Sequence, residues 1–124
     1  REEVKHLKRR NLMEDINRIE IQGRVGNIRT NVVNDTMVAN FSVATDYYYK
    51  GRDGAMVNET TWHQVVAWAG KGMVNLNLIE KGSPVNLIGR MRSTKLTSSD
   101  GTDKYFYEIM AQKVRIVPTE EADS

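Results

Sequence analysis

Glu59-Thr60-Thr61-Trp62-His63-Gln64-Val65-Val66-Ala67-Trp68-Ala69, then Gly70-Lys71-Gly72, then Met73 to Lys81, Gly82, Ser83 and Pro84, is the stretch on which the fold turns. Its first part reads as one strand. Side chains alternate faces along a strand, so the even spacing puts Trp62 and Trp68 on one side, with Gln64 and Val66 between them. Gly70 to Gly72 breaks the strand. Met73 to Lys81 is expected as a short helix, with Val74, Leu78 and Ile79 on or near one face and Gly82 as its stop. Pro84 opens the next strand.

Working outward, strand one is expected at 18–28, with Ile19, Ile21 and Val25 on one face and Arg18, Glu20, Gln22 and Arg24 on the other. Gly23 and Gly26 inside it predict a bulge or sharp bend. Asn31 to Asp35 is a turn region with Asn34-Asp35 at the hairpin tip. Strand two, at 36–47, turns Met37, Ala39, Phe41 and Val43 inward. Lys50-Gly51-Arg52-Asp53-Gly54 is a loop. Strand four alternates Val85, Leu87, Gly89 and Met91 against Asn86, Ile88, Arg90 and Arg92. Thr97 to Thr102 is a polar turn, and strand five runs from Lys104 to about Val117. Five strands, with one short helix between the third and fourth, is the element order of the OB-fold, a five-stranded all-β Greek-key barrel. An immunoglobulin-like sandwich needs about seven strands.

A chain of 124 residues suits one domain, read here as 17–117. Residues 1–16 read as an N-terminal arm or helix with a basic cluster, Lys5, His6, Lys8, Arg9 and Arg10. Residues 118–124 are an acidic end. Met13 is a reasonable native start. Hydrophobic residues make up 40% and charged residues 27%, a globular balance. No apolar run is long enough to cross a membrane. The chain has no cysteine, which excludes disulfides and thiolate metal sites. Two histidines are too few for a histidine-based metal cluster. Residues 17–117 hold 13 Lys+Arg and 9 Asp+Glu, a mildly basic balance of +4 that attracts phosphates but is also common on ordinary surfaces.

The two tryptophans are the best stacking platform the chain offers for something flat, such as a nucleobase; the alternative place for such a pair is a buried core. Tyr47, Tyr48 and Tyr49 run into Lys50 and Arg52, and Tyr47 and Tyr49 share a face. Arg90 and Arg92 share the outward face of strand four, with Lys95 beyond. Positive groups beside aromatics are the combination that single-strand binding uses. Tyr105 and Tyr107 fit hairpin packing as well as ligand contact. His63 faces away from the tryptophans and lacks metal or catalytic companions. Asp46, Asp53, Asp100 and Asp103 read as loop carboxylates. No phosphate-cradling glycine motif is present. The reading is a protein that is not an enzyme and needs no cofactor.

Val38-Ala39-Asn40-Phe41-Ser42-Val43-Ala44-Thr45, Thr60 to Trp68, Lys81-Gly82-Ser83-Pro84-Val85 and Gly89-Arg90-Met91-Arg92 resemble the bacterial single-stranded DNA-binding protein family over about residues 17–117. Within that family the chain is most similar to short paralogues of the Bacteroides type. The resemblance implies a cytoplasmic, nucleoid-associated homotetramer that protects single-stranded DNA in replication, recombination, repair or transfer of mobile DNA. It implies base stacking at four positions. Tyr49, Trp62 and Trp68 are aromatic here, whereas the fourth falls on Leu96, which has no π face. Lys95, Lys71 and Lys81 match or lie near basic positions, and His63 falls near a subunit contact. Strand one and the His63 face are the expected pairing surfaces. The family's acidic tail with a terminal phenylalanine is not matched, so its usual tail-recognising partners are not expected. Two other readings remain: a primosomal protein-interaction module, and an RNA-binding OB protein.

Overall fold

A computed structural model describes residues 13–118. The basic cluster expected in the N-terminal arm and the acidic residues Glu120, Glu121 and Asp123 lie outside the described residues.

Five strands form a closed barrel: β1 (Ile19–Val33), β2 (Thr36–Lys50), β3 (Met56–Trp68), β4 (Pro84–Thr97) and β5 (Asp103–Ile116). Their order around the barrel is β1-β2-β3-β5-β4. All neighbours are antiparallel except β3 and β5, which pair parallel at Val65↔Ile109, Val66↔Met110 and Ala67↔Ala111. That parallel pair closes the Greek key predicted from the element order. The β1–β2 turn is made by Asn34 and Asp35, both at positive φ (50° and 66°). Asn and Asp tolerate that conformation better than other side-chain-bearing residues.

Where the strands form the barrel, the odd-numbered residues 39–43 of β2, 65–67 of β3 and 85–89 of β4 point into it. Val43, Ala39, Val65, Ala67, Val85, Leu87 and Ile109 form a dry core with Ile21 and Val25 of β1. The side chains of Ile19, Ile21 and Val25, expected on a pairing surface, face the barrel interior instead. Ile21 and Val25 are core residues and Ile19 packs against them, whereas the backbone of β1 pairs with β4 over 19–24 and with β2 over 24–33, so that among the described residues 19–23 keep one edge without a strand partner. The His63 side of β3 is likewise the core side. His63 itself is half-buried, with Nε2 2.9 Å from Thr45 Oγ1.

The helix expected over 73–81 is a single 3-10 turn, Leu76–Leu78. The Asn75 side chain accepts from the Asn77 N–H at 3.0 Å, a local bond that competes with continued helix. Glycines at 72 and 82 leave a segment too short to recover the cost of nucleation. The buried pair is Leu76 and Ile79, spaced three apart as a 3-10 turn requires, and Leu78 is exposed. Leu76 and Ile79 join the barrel core, with Met73 and Val74 packed against it.

The bulge predicted from Gly23 and Gly26 is present. The β1–β2 register slips between Val25 and Ile28, so one extra residue enters β1. The three strand-embedded glycines mark close approaches of backbone. A Cβ on Gly23 would lie 2.0 Å from the Ala44 carbonyl oxygen, and one on Gly89 2.2 Å from that of Met110. The strands also run longer than expected: β1 reaches Val33, β2 reaches Lys50 and β3 starts at Met56.

Candidate nucleic-acid interface

Residues paired across strands share a face, so the register defines the outer surface in rows. One row crosses every strand: Arg29, Asn40, Val66, Met110 and Arg90. On the same face lie the rows Arg24–Ala44–Trp62 and Asn31–Val38–Trp68, and the pairs Ser42–Gln64 and Arg92–Glu108. Both indoles are therefore on the barrel exterior and open to solvent, Trp62 at 56% and Trp68 at 41% exposure. That rules out the core alternative for this pair.

The β1 bulge decides which charges reach this face. Arg24 and Arg29 are five residues apart and would sit on opposite sides of a regular strand. The extra residue reverses the alternation, and both pair outward, Arg24 with Ala44 and Arg29 with Asn40. Gly26 lies beneath the Trp62 ring, where a Cβ would stand 2.5 Å from the indole. The Ser42 hydroxyl accepts from the Asn27 N–H at 3.0 Å and ties the bulge to β2. The result is an open groove of about 780 Å³ across β1, β2 and β3. Trp62, Gln64, Asn40, Arg29 and Lys81 line it.

The expected site residues divide by face. Trp62, Trp68, Lys50, Arg90, Arg92 and Leu96 lie on the exterior face by register. Tyr47 and Tyr49 do share a face, but it is the other one; their ring centroids are 5.9 Å apart at a 31° tilt. Tyr48 is the tyrosine that shares the tryptophan face, and it is exposed. Lys95 also lies on the opposite face, 3.4 Å from Asp103. Arg52 and Lys71 sit in exposed turns. Arg92 is held by Glu108 at 2.6 Å, which compensates part of its charge. Among the described residues, Arg24, Arg29, Lys50, Lys81 and Arg90 form no ion pair.

Sequence reasoning missed Arg29 because strand one was ended at 28. The alternation Ile28, Thr30, Val32 up to the Asn34-Asp35 tip was the signal that the strand continues. The expected Leu96 position is exposed near the end of β4. Beyond it, the hairpin tip is ordered by Asp100, which accepts from the Ser98 hydroxyl and from the Thr102 N–H. Those bonds, Ser98's first, hold its carboxyl down at about 2.

A profile of the single-strand binding protein family matches residues 16–117. A single-stranded DNA-binding protein of Neisseria meningitidis is 30% identical over 105 residues, which are 82% of this chain and 60% of that protein. One from Xanthomonas axonopodis pv. citri is 32% identical over 104 residues, 82% of this chain and 58% of its length. The chain thus spans about three-fifths of these relatives. Among solved structures, the Plasmodium falciparum SSB complex with ssDNA superposes with a TM-score of 0.73 at 25% identity, covering 87% of this chain and 100% of that one. A deletion mutant of the Thermus aquaticus single-stranded DNA binding protein shares the fold, with a TM-score of 0.68 at 14% identity over 83% of this chain and 51% of that chain.

Proposed function

The chain belongs to the single-strand binding protein family, and from that premise we propose that it binds and protects single-stranded DNA on the exterior face of its barrel. The observation that carries this reading is the exposed pair Trp62 and Trp68, set in rows with Arg24, Arg29 and Arg90 on one continuous face. Indoles offer flat apolar surface for bases, and base stacking is worth about 1–3 kcal/mol per base whatever the sequence. The arginines, with Lys50 and Lys81, neutralise the phosphates that pass beside them. A coated strand cannot re-pair. The reading needs no catalytic group and no cofactor. Tyr47, Tyr49 and Lys95 take a strand only where it leaves the tryptophan face and crosses to the other side of the long hairpins.

We assign the domain to 17–117 and a role in DNA replication, recombination and repair in the cytoplasm. One barrel engages a short segment, about 4–16 nucleotides, so several barrels on one strand hold it far more tightly. A homotetramer supplies them. Light scattering at micromolar concentration should give about four times the 14.2 kDa chain mass; a monomer that binds tightly removes the tetramer.

Competition tests the ligand. Oligo(dT) should bind with log affinity falling linearly with log salt, about 0.7 per neutralised phosphate. A duplex of equal length should compete poorly, because its bases are already stacked and paired. If duplex DNA or matched RNA competes as well as single-stranded DNA, the assignment fails.

A further inference from the structure

We infer that Asn40 and Gln64 grip the edge of the base stacked on Trp62, and that their carboxamides make this subsite tolerant of all four bases. The inference rests on the stacking role of Trp62. Gln64 follows Trp62 by two residues on the same face, about 7 Å along the strand at 3.4 Å per residue. Asn40 lies diagonal to Gln64, since Asn40 pairs with Val66 and Ser42 with Gln64. Both line the groove beside the indole. Among the described residues, no hydrogen bond within the chain engages either carboxamide. Neighbouring polar groups differ: the Ser42 hydroxyl is taken by the Asn27 N–H, and the Asn86 amide donates to Glu20 at 3.2 Å and Gln22 at 3.0 Å. Some amides on the outer face hold strands together, and the open ones sit where a stacked base presents its rim.

The chemistry of a carboxamide suits that rim. It carries an acceptor oxygen beside a donor NH2. The pairing edge of every base also sets a donor beside an acceptor: an amino group next to a ring nitrogen in adenine and cytosine, a ring N–H next to a carbonyl in thymine and guanine. A half-turn about the last torsion of Asn or Gln exchanges its donor and acceptor, so one side chain satisfies either order. Single strands leave these edges open for such contact. A carboxylate accepts only. Cytosine's amino group has a second N–H, on the side away from its ring nitrogen, that a carboxylate can accept clear of any other acceptor, whereas thymine's one ring N–H lies between two carbonyls that repel the carboxylate.

The test is the ratio of affinities for oligo(dT) and oligo(dC) of equal length, two pyrimidine strands that stack weakly on themselves. It is measured by fluorescence titration in the parent and in Gln64→Glu, Asn40→Asp, Gln64→Leu and Trp62→Ala. The added charge of Gln64→Glu should weaken both ligands, but oligo(dT) about fivefold or more beyond oligo(dC), and Asn40→Asp should shift the ratio the same way. Gln64→Leu should weaken both and keep the parental ratio. These positions are exposed, so the variants should fold, which far-UV circular dichroism checks. An unchanged ratio in both carboxylate variants overturns the inference. If Trp62→Ala then still loses affinity, stacking stands and only the edge grip is wrong. If Trp62→Ala binds like the parent, the stacking role fails, and the edge grip falls with it.

Discussion

His63 shows how a single side chain ties the fold to pH. It sits at the rim of the core side of β3, bonded to Thr45. Burial lowers its pKa from the ordinary 6.5. The folded state therefore favours the neutral ring, and the stability this gives is fully present above the unfolded pKa. It is lost as pH falls from about 6.5 through the lower folded value, because protonation there favours the unfolded chain. Denaturation midpoints should drop between pH 7.5 and 5.5, and His63→Gln should flatten that part of the profile. A slope unchanged in the variant would place the titrating group elsewhere. At this scale the sequence was legible for the tryptophans, whose even spacing and exterior placement agree. The face on which Tyr49 lies relative to the tryptophans was not legible. Alternation alone paired Tyr47 with Tyr49 correctly, but only the β2–β3 register shows that Tyr48 faces with Trp62.

Pairs of strands set which charges are free. Arg92 and Glu108 face each other across β4 and β5 at 2.6 Å, both partly exposed. An exposed pair of this kind adds little stability, typically 0–1 kcal/mol. It matters more for binding, because a phosphate must displace a carboxylate to reach Arg92. Glu108→Gln should tighten oligo(dT) binding and steepen its salt dependence, by up to about 0.7 in the log–log slope if one more phosphate is neutralised. Arg90→Ala should cost more affinity than Arg92→Ala. Weaker or equal binding by Glu108→Gln would show that the bridge orients Arg92 rather than occupying it. The five strands and their hairpin tips could be read from alternation and turn residues. The bulge could be read from Gly23 and Gly26, but not its consequence, that Arg24 and Arg29 come to one face. The segment after β3 was misread because Val74, Leu78 and Ile79 imitate a helical stripe. Burial chose Leu76 and Ile79 instead, since those two reach the barrel core. Leu76→Ala should cost about 2–5 kcal/mol in a denaturant melt, as for other buried leucines.

For the whole molecule, closure of the barrel decides what each face can do. Pairing β1 with β4 and β3 with β5 leaves each strand with two neighbours and turns the apolar faces inward. The side chains of Ile19, Ile21 and Val25 turn into the core for that reason, while the edge of β1 over 19–23 has no strand partner among the described residues. Closure could not be read from strand patterns, which report alternation within a strand but not its partners. What remains outside is a face where aromatic and basic groups alternate with open amides. The most direct measurement is a titration of intrinsic fluorescence with oligo(dT), since Trp62 and Trp68 are the only tryptophans. The signal should quench strongly and saturate, and Trp62→Ala and Trp68→Ala should each lower the affinity by about 1–3 kcal/mol. Folded variants that both bind like the parent, or a parent signal that does not respond to the strand, would contradict the account.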